Sequence, residues 1–225
     1  MTGLQYCMSL DVGSEQDPSA LSVLSRREME IPGAASDGQG GRVKGTISAY
    51  DLVHLERFEL RTPYEEIHDR CGSILHNPKL IGDVHFVIDA TGVGNPIAQM
   101  MYALGPIPIV ITSGNQVNER DNGGYNVPKR DVVTVTQSVF QSGRIRIGAG
   151  LQHIEQLKRE LLGFKPKPQK SGRFGYEAET ESTHDDLVMS IAIAIWYMER
   201  LYGYVIPATE MLERPQYDPF EAYYE

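Results

Sequence analysis

Leu4-Gln-Tyr-Cys-Met-Ser-Leu-Asp-Val-Gly13 is the stretch that decides the fold. Leu4, Tyr6, Met8 and Leu10 alternate with Gln5, Cys7, Ser9 and Asp11, the period of two that sends successive side chains to opposite faces of a strand. Turn residues Gly13 to Pro18 follow, then a second strand from about Ala20 to Arg26 and a third over Tyr50 to Leu60. Short connections favour an antiparallel meander for these three. The stretch Ile31 to Gly45, rich in glycine and poor in apolar anchors, is expected to be a mobile loop.

Beyond the meander the pattern changes to strands alternating with helices. Thr62-Pro63-Tyr64-Glu65 has the form of a capping box with proline at the first helical position, and Ile67, Cys71, Ile74 and Leu75 follow at helical spacing. Val84 to Asp89 is a fourth strand. Asn95-Pro96 opens a helix with Ile97, Met100, Met101 and Leu104 on one face and Gly105 at its end. Ile107 to Thr112 predicts a fifth strand, Pro128 to Gln141 a helix, Arg144 to Ile147 a short strand and Leu151 to Leu162 a further helix. A last helix, capped by Thr183 and running to about Tyr202, is apolar nearly all round and therefore must be buried. The fold class is α/β, a mixed sheet of a three-strand antiparallel meander plus parallel strands, flanked by helices. A right-handed crossover brings the fourth strand parallel to the first, so that Asp11 and Asp89 finish neighbouring strands at one edge, the usual ligand position in such sheets.

The chain of 225 residues is long enough for a substantial core, and its only cysteines, Cys7 and Cys71, lie in apolar-periodic segments and read as buried thiols. Met1 to Leu10 lacks the basic start of a signal peptide, and the longest apolar run, Leu187 to Met198, is too short to span a bilayer. A soluble, cytoplasmic protein without a membrane partner is the expectation. The net charge of −9 argues against a generic nucleic-acid binder but does not exclude a nuclease.

Chemistry is carried by carboxylates at element ends: Asp11 before Gly13, Asp89 in Ile88-Asp-Ala-Thr-Gly92, and Asp185-Asp186 after His184. Taken singly, Asp11 reads as a turn residue and the Asp185–Asp186 pair as favourable charges in a first helical turn. Asp89 is harder to account for that way, because strand interiors disfavour aspartate. His184 reads either as an orienting or ligating neighbour or as an exposed residue beside the cap. Together the positions suit a shared cluster of hard divalent ions, and so phosphodiester chemistry.

Asp11-Val-Gly-Ser-Glu-Gln-Asp17-Pro-Ser-Ala-Leu, Val87-Ile-Asp89-Ala-Thr-Gly-Val-Gly94, Val127-Pro-Lys129 and His184-Asp-Asp186-Leu-Val-Met-Ser-Ile-Ala, in this order, resemble the nuclease domain of tailed-phage terminase large subunits. The resemblance implies a ribonuclease H-like nuclease domain over 1–204, and composition reads 205–225 as an acidic, proline-containing tail. It implies metal-dependent cutting of concatemeric viral double-stranded DNA during packaging, with two Mg²⁺ or Mn²⁺ ions. By that likeness Asp11, Asp89 and Asp186 are the principal ligands and Asp185 stands close behind. Asp17 is an alternate ligand, Lys129 a catalytic phosphate contact, and the portal and the terminase small subunit are partners. No Gly-x-x-x-x-Gly-Lys-Ser/Thr motif of a packaging ATPase is present, so this chain reads as an excised or separately encoded nuclease.

Candidate DNA contacts are Lys129 and Arg130, together with the basic stretch Lys158, Arg159, Lys165, Lys167, Lys170 and Arg173, opposed locally by Glu160. The glycine-bearing segment Ser113 to Tyr125, with Arg120, reads as a second contact or a mobile connection. Two other readings share the carboxylates or the acidic tail: a Holliday-junction resolvase-like nuclease, and a catalytically silent docking module of the packaging machine.

Overall fold

The alternation of Leu4 to Asp11 becomes a strand, β1 (Gln5–Asp11), whose residues Tyr6 to Leu10 are all buried. The computed structural model describes residues 4–30, 46–80, 82–148, 150–164, 167–168, 174–175 and 185–202. The expected mobile loop Ile31 to Gly45, the cap Thr183, His184 and the tail over 205–225 lie outside the described residues. So do Lys165, Lys170, Arg173 and the side chain of Lys167.

β1 pairs antiparallel with β2 (Ala20–Glu30), and β2 with β3 (Thr46–Arg57), which is the expected meander. After α1 (Tyr64–Leu75) the chain returns as β4 (Asp83–Asp89), parallel to β1. α2 (Gly94–Met100) and a single 3-10 turn, Tyr102–Leu104, lead to β5 (Ile107–Thr112), parallel to β4. A short strand β6 (Asn118–Glu119) pairs antiparallel with β7 (Tyr125–Pro128), which joins β5 in parallel. α3 (Lys129–Gln141), β8 (Ile145–Ile147, parallel to β3), α4 (Ile154–Gly163) and α5 (Asp186–Tyr202) complete the main body. The strand order is β6-β7-β5-β4-β1-β2-β3-β8, and β9 (Lys167–Pro168) with β10 (Phe174–Gly175) forms a separate two-stranded ribbon.

The mixed α/β class holds, and the period of two sorts the core into two layers. Cys7, Leu24, Leu52, Leu55, Val87 and Ile109 pack with α3 and α5, whereas Tyr6, Met8, Leu10, Leu21, Val23 and Ile88 pack with α1 and α2. Both cysteines are buried thiols. α5 is the buried helix the composition demands, with every residue from Asp186 to Met198 buried. No helix among the described residues is long and apolar enough to cross a membrane.

Three local readings are corrected. Thr62 is not the α1 cap: Pro63 holds that position without a side-chain cap, and the Thr62 hydroxyl instead donates backwards to the Glu59 carbonyl at 2.7 Å. Met100 faces solvent, because the helix beginning at Gly94 turns Ile97, Ala98 and Met101 inward. The segment Ser113 to Tyr125 is not merely a connection. It holds β6 and the turn into β7, whose Tyr125 packs edge-on against Trp196 while Arg200 lies over the Tyr125 ring and pairs with Glu119 at 2.9 Å.

The far end of α5 is tied down by a buried ion pair. Arg144, with its side chain 2% exposed, meets Glu199 at 2.6 Å and donates to the Ser48 carbonyl, and the Tyr50 hydroxyl donates to the same carboxylate at 2.6 Å. Arg144→Met would leave Glu199 as a buried charge without its counter-ion, so unfolding free energy should fall by about 3 kcal/mol. Urea titration reads this as a lower midpoint with an unchanged slope, and a midpoint near wild type would show that the pair is not an anchor.

Candidate active site

Strand register, rather than any loop, brings the first carboxylates together. Leu10 pairs with Ile88 in the parallel β1–β4 ladder, so the next residues, Asp11 and Asp89, end adjacent strands side by side. On the other side Asp11 pairs with Ala20, and Ala20 with Arg57. Directly opposed residues project to the same face of a sheet. Asp89, Asp11, Ala20 and Arg57 therefore form one row, on the face that α5 covers. The small Ala20 separates Arg57 from Asp11. Arg57 reaches this face because the β2–β3 register shifts between Val23 and Leu24, which makes Val53 an extra residue. Leu52 and Leu55, three apart, then point the same way, and Arg57 follows Leu55.

Both strand exits need glycine. A side chain on Gly94 would collide with the carbonyl oxygen of Asp89, and one on Gly13 with that of Asp17. The Gly13 amide donates to the Ser19 hydroxyl at 2.9 Å, and the Thr91 amide donates to the Asp89 carboxylate at 2.8 Å. The chain thus turns sharply away after each aspartate, leaving room above the row.

The start of α5 comes down on this row. Among the described residues the Asp185 carbonyl accepts the first helical bond, from the Met189 amide at 2.7 Å, which sets Asp185 at the N-cap position of α5. The two acids then diverge. The Asp185 side chain is 40% exposed and 3.7 Å from the Lys129 ammonium, which opens α3 behind Pro128. The Asp186 side chain is 6% exposed and lies 2.7 Å from Arg57 Nε. Glu160 of α4, also buried, accepts from the Val188 amide at 3.1 Å.

The electrostatics are frustrated. The Asp11 carboxyl is held well above the ordinary range, first by burial, then by the charges of Asp89, Asp185 and Asp186, with Lys129 opposing. Burial also raises Asp89, against the hydrogen bonds from Thr91 and the charge of Lys129. The donor set is all hard oxygen, the kind that Mg²⁺ and Mn²⁺ select, and it is crowded enough to gain from a cation. Among the described residues no three Asp, Glu, His or Cys side chains converge closely enough to hold a single ion.

The structure thus brings Asp11, Asp89, Asp185, Asp186 and Lys129 together. Asp17 lines a neighbouring cleft of about 540 Å³ with Glu15, Arg61 and Glu65, and there the Ser14 hydroxyl donates to it at 3.3 Å. Arg130 donates to the Asn115 carbonyl and pairs with Asp131. Within the basic stretch Lys158 pairs with Glu155 at 3.0 Å and Arg159 donates to the Glu155 carbonyl, while Glu160 is buried against α5. Two neighbours of the cluster, Arg57 and Glu160, escape a reading of the sequence. The bulge hides the first. The second carries one signal, an acid three residues after the buried Leu157 on the inward face of α4.

No protein-family model matches the chain, and no curated protein matches it. Among solved structures, the large terminase nuclease from thermophilic phage G20c aligns with it at a TM-score of 0.49 and 20% identity, over 88% of this chain and 83% of that one.

Raised carboxyl pKa values disfavour the ionised form in the folded state, so stability is full below the ordinary carboxylate range and falls as pH rises through it. Asp11→Asn removes that loss. It should raise unfolding free energy by about 1 kcal/mol at pH 8, a gain that shrinks as pH falls through the ordinary carboxylate range and vanishes below it, where the aspartate is neutral in both states. Thermal melts across this range check it, and a gain that grows on acidification would contradict the crowding.

Proposed function

We propose that this chain is a metal-dependent endonuclease that cuts double-stranded DNA, serving as the nuclease part of a tailed-phage terminase large subunit in the host cytoplasm. The observation that carries the reading is the row itself: Asp11 and Asp89 side by side at the sheet edge, with Asp185 and Asp186 set down over them and, among the described residues, Lys129 and Arg57 as neighbouring cations. A protein gains nothing in stability from such crowding, which a bound cation would relieve. The ordered sequence motifs point the same way and supply the packaging context, with the portal and the small subunit as partners.

Asp11, Asp89 and the exposed carboxylate of Asp185 are the groups best placed to hold Mg²⁺ or Mn²⁺, with Asp186 contributing from its ion pair with Arg57. Two such ions, when bound, supply an activated water and stabilise the leaving oxygen of an in-line displacement. Lys129, partly exposed beside Asp185, is placed to hold a non-bridging phosphate oxygen. Arg57 pairs with Asp186 on the buried side of the cluster.

Supercoiled plasmid incubated with Mn²⁺ or Mg²⁺ should be nicked and then linearised, and chelator should stop it. Asp11→Asn and Asp89→Asn should each abolish cutting without lowering the melting midpoint. Asp186→Asn should also abolish it but lower stability by about 2 kcal/mol, since Arg57 then lacks its buried partner. Cutting that survives chelation, or wild-type cutting by Asp89→Asn, would refute the assignment.

A further inference from the structure

A helix beginning at Asp186 leaves the amides of Leu187 and Val188 without intrahelical acceptors. An aspartate at the N-cap ordinarily accepts from these two amides with its own carboxylate. Asp185 occupies that position, yet its carboxylate lies toward Lys129, 3.7 Å away. The cap is supplied from another element. Glu160, on the buried face of α4, accepts from the Val188 amide at 3.1 Å and faces the Leu187 amide as well. A carboxylate at that point also meets the positive end of the helix dipole.

We infer that Glu160 is a positioning residue: by capping α5 from α4 it releases Asp185 from its own helix and leaves that carboxylate to serve the cluster with Asp11 and Asp89. The inference rests on the metal-dependent reading of that cluster. Arg57, pairing with Asp186 at 2.7 Å, holds the same turn from the sheet side, so the start of α5 is fixed between β3 and α4. Burial and the nearby Asp186 push the Glu160 carboxyl up to about 7, against the Val188 and Leu187 amides and Arg57. The acceptor oxygen remains in either protonation state, so the cap persists across neutral pH.

Without Glu160 the carboxylate of Asp185, at the N-cap position, is free to accept from Leu187 and Val188 in its place. Recapture by its own helix would withdraw that carboxylate from the cluster. Mn²⁺ binding to the full chain, measured by electron paramagnetic resonance of the unbound ion, reads this directly. Glu160→Ala should weaken Mn²⁺ binding roughly tenfold, the usual scale for losing a residue that orients a ligand. Glu160→Gln, which keeps an accepting oxygen, should recover most of the affinity. In an Asp185→Asn background Glu160→Ala should have no further effect on Mn²⁺ affinity.

A purely structural cap gives a different pattern: Glu160→Ala melts earlier but binds Mn²⁺ as wild type does, or loses the same factor with and without Asp185. Either result overturns the inference. If Glu160→Ala does not fold, Glu160→Asp, whose carboxylate is drawn back by one methylene, is read against the same background, and wild-type affinity in it is equally fatal. A wild-type chain that binds no Mn²⁺ overturns the metal-dependent reading itself, which is a separate failure.

Discussion

Burial of α5 is the interaction on which the rest depends. A helix apolar around its whole circumference has no face for solvent, so it must lie across the sheet, and it packs on β1, β2, β3 and β4 with α3 and α4 beside it. The sheet admits it through small side chains on that face. Ser9 and Ser22 oppose one another in the β1–β2 register and are fully buried, and Ala20 lies one step further along. Where the apolar run stops, the chain must present polar groups, and it does so at the sheet edge where Asp11 and Asp89 end. The hydrophobic effect thus delivers charge to charge.

That delivery needs both ends of the helix held. At the C-terminal end the Arg144–Glu199 pair, the Tyr50 hydroxyl and the bond from Ser48 to the Tyr202 carbonyl tie α5 to β3 and β8. At the N-terminal end Arg57 and Glu160 perform the same office with opposite charges. The two anchors differ in kind. The first matches one buried cation to one carboxylate. The second is uneven: among the described residues Asp11, Asp89, Asp185, Asp186 and Glu160 gather near two cations, Arg57 and Lys129. A stable fold tolerates this only because burial elsewhere is extensive, and it is this local conflict that the proposed cation site rests on.

Much of this was legible in the residues alone. The alternation in Leu4 to Asp11, the apolar run into Asp89 and the all-round apolar helix are local patterns, and each forces its own element. The short turns of the meander and the handedness of a crossover then suffice to set β4 beside β1, and with it Asp89 beside Asp11. The hairpin at β6–β7 escaped because its strands are only two and four residues long, and its stability comes from Tyr125 on Trp196 and Arg200 on Glu119, contacts distant in sequence. The capping box at Thr62 failed because a backbone turn there claims the hydroxyl first.

The sequence by itself determined which carboxylates end strands or open a helix, since those positions follow from periodicity and from glycines that only a sharp exit requires. Only the tertiary structure decided what each carboxylate faces. A single extra residue in β3 turns Arg57 toward Asp186, because a period of two converts one inserted residue into a change of face. The seat of Glu160 under α5 separates Asp185 from Asp186, because helix amides accept a cap from whichever carboxylate packing brings to them, near in sequence or not.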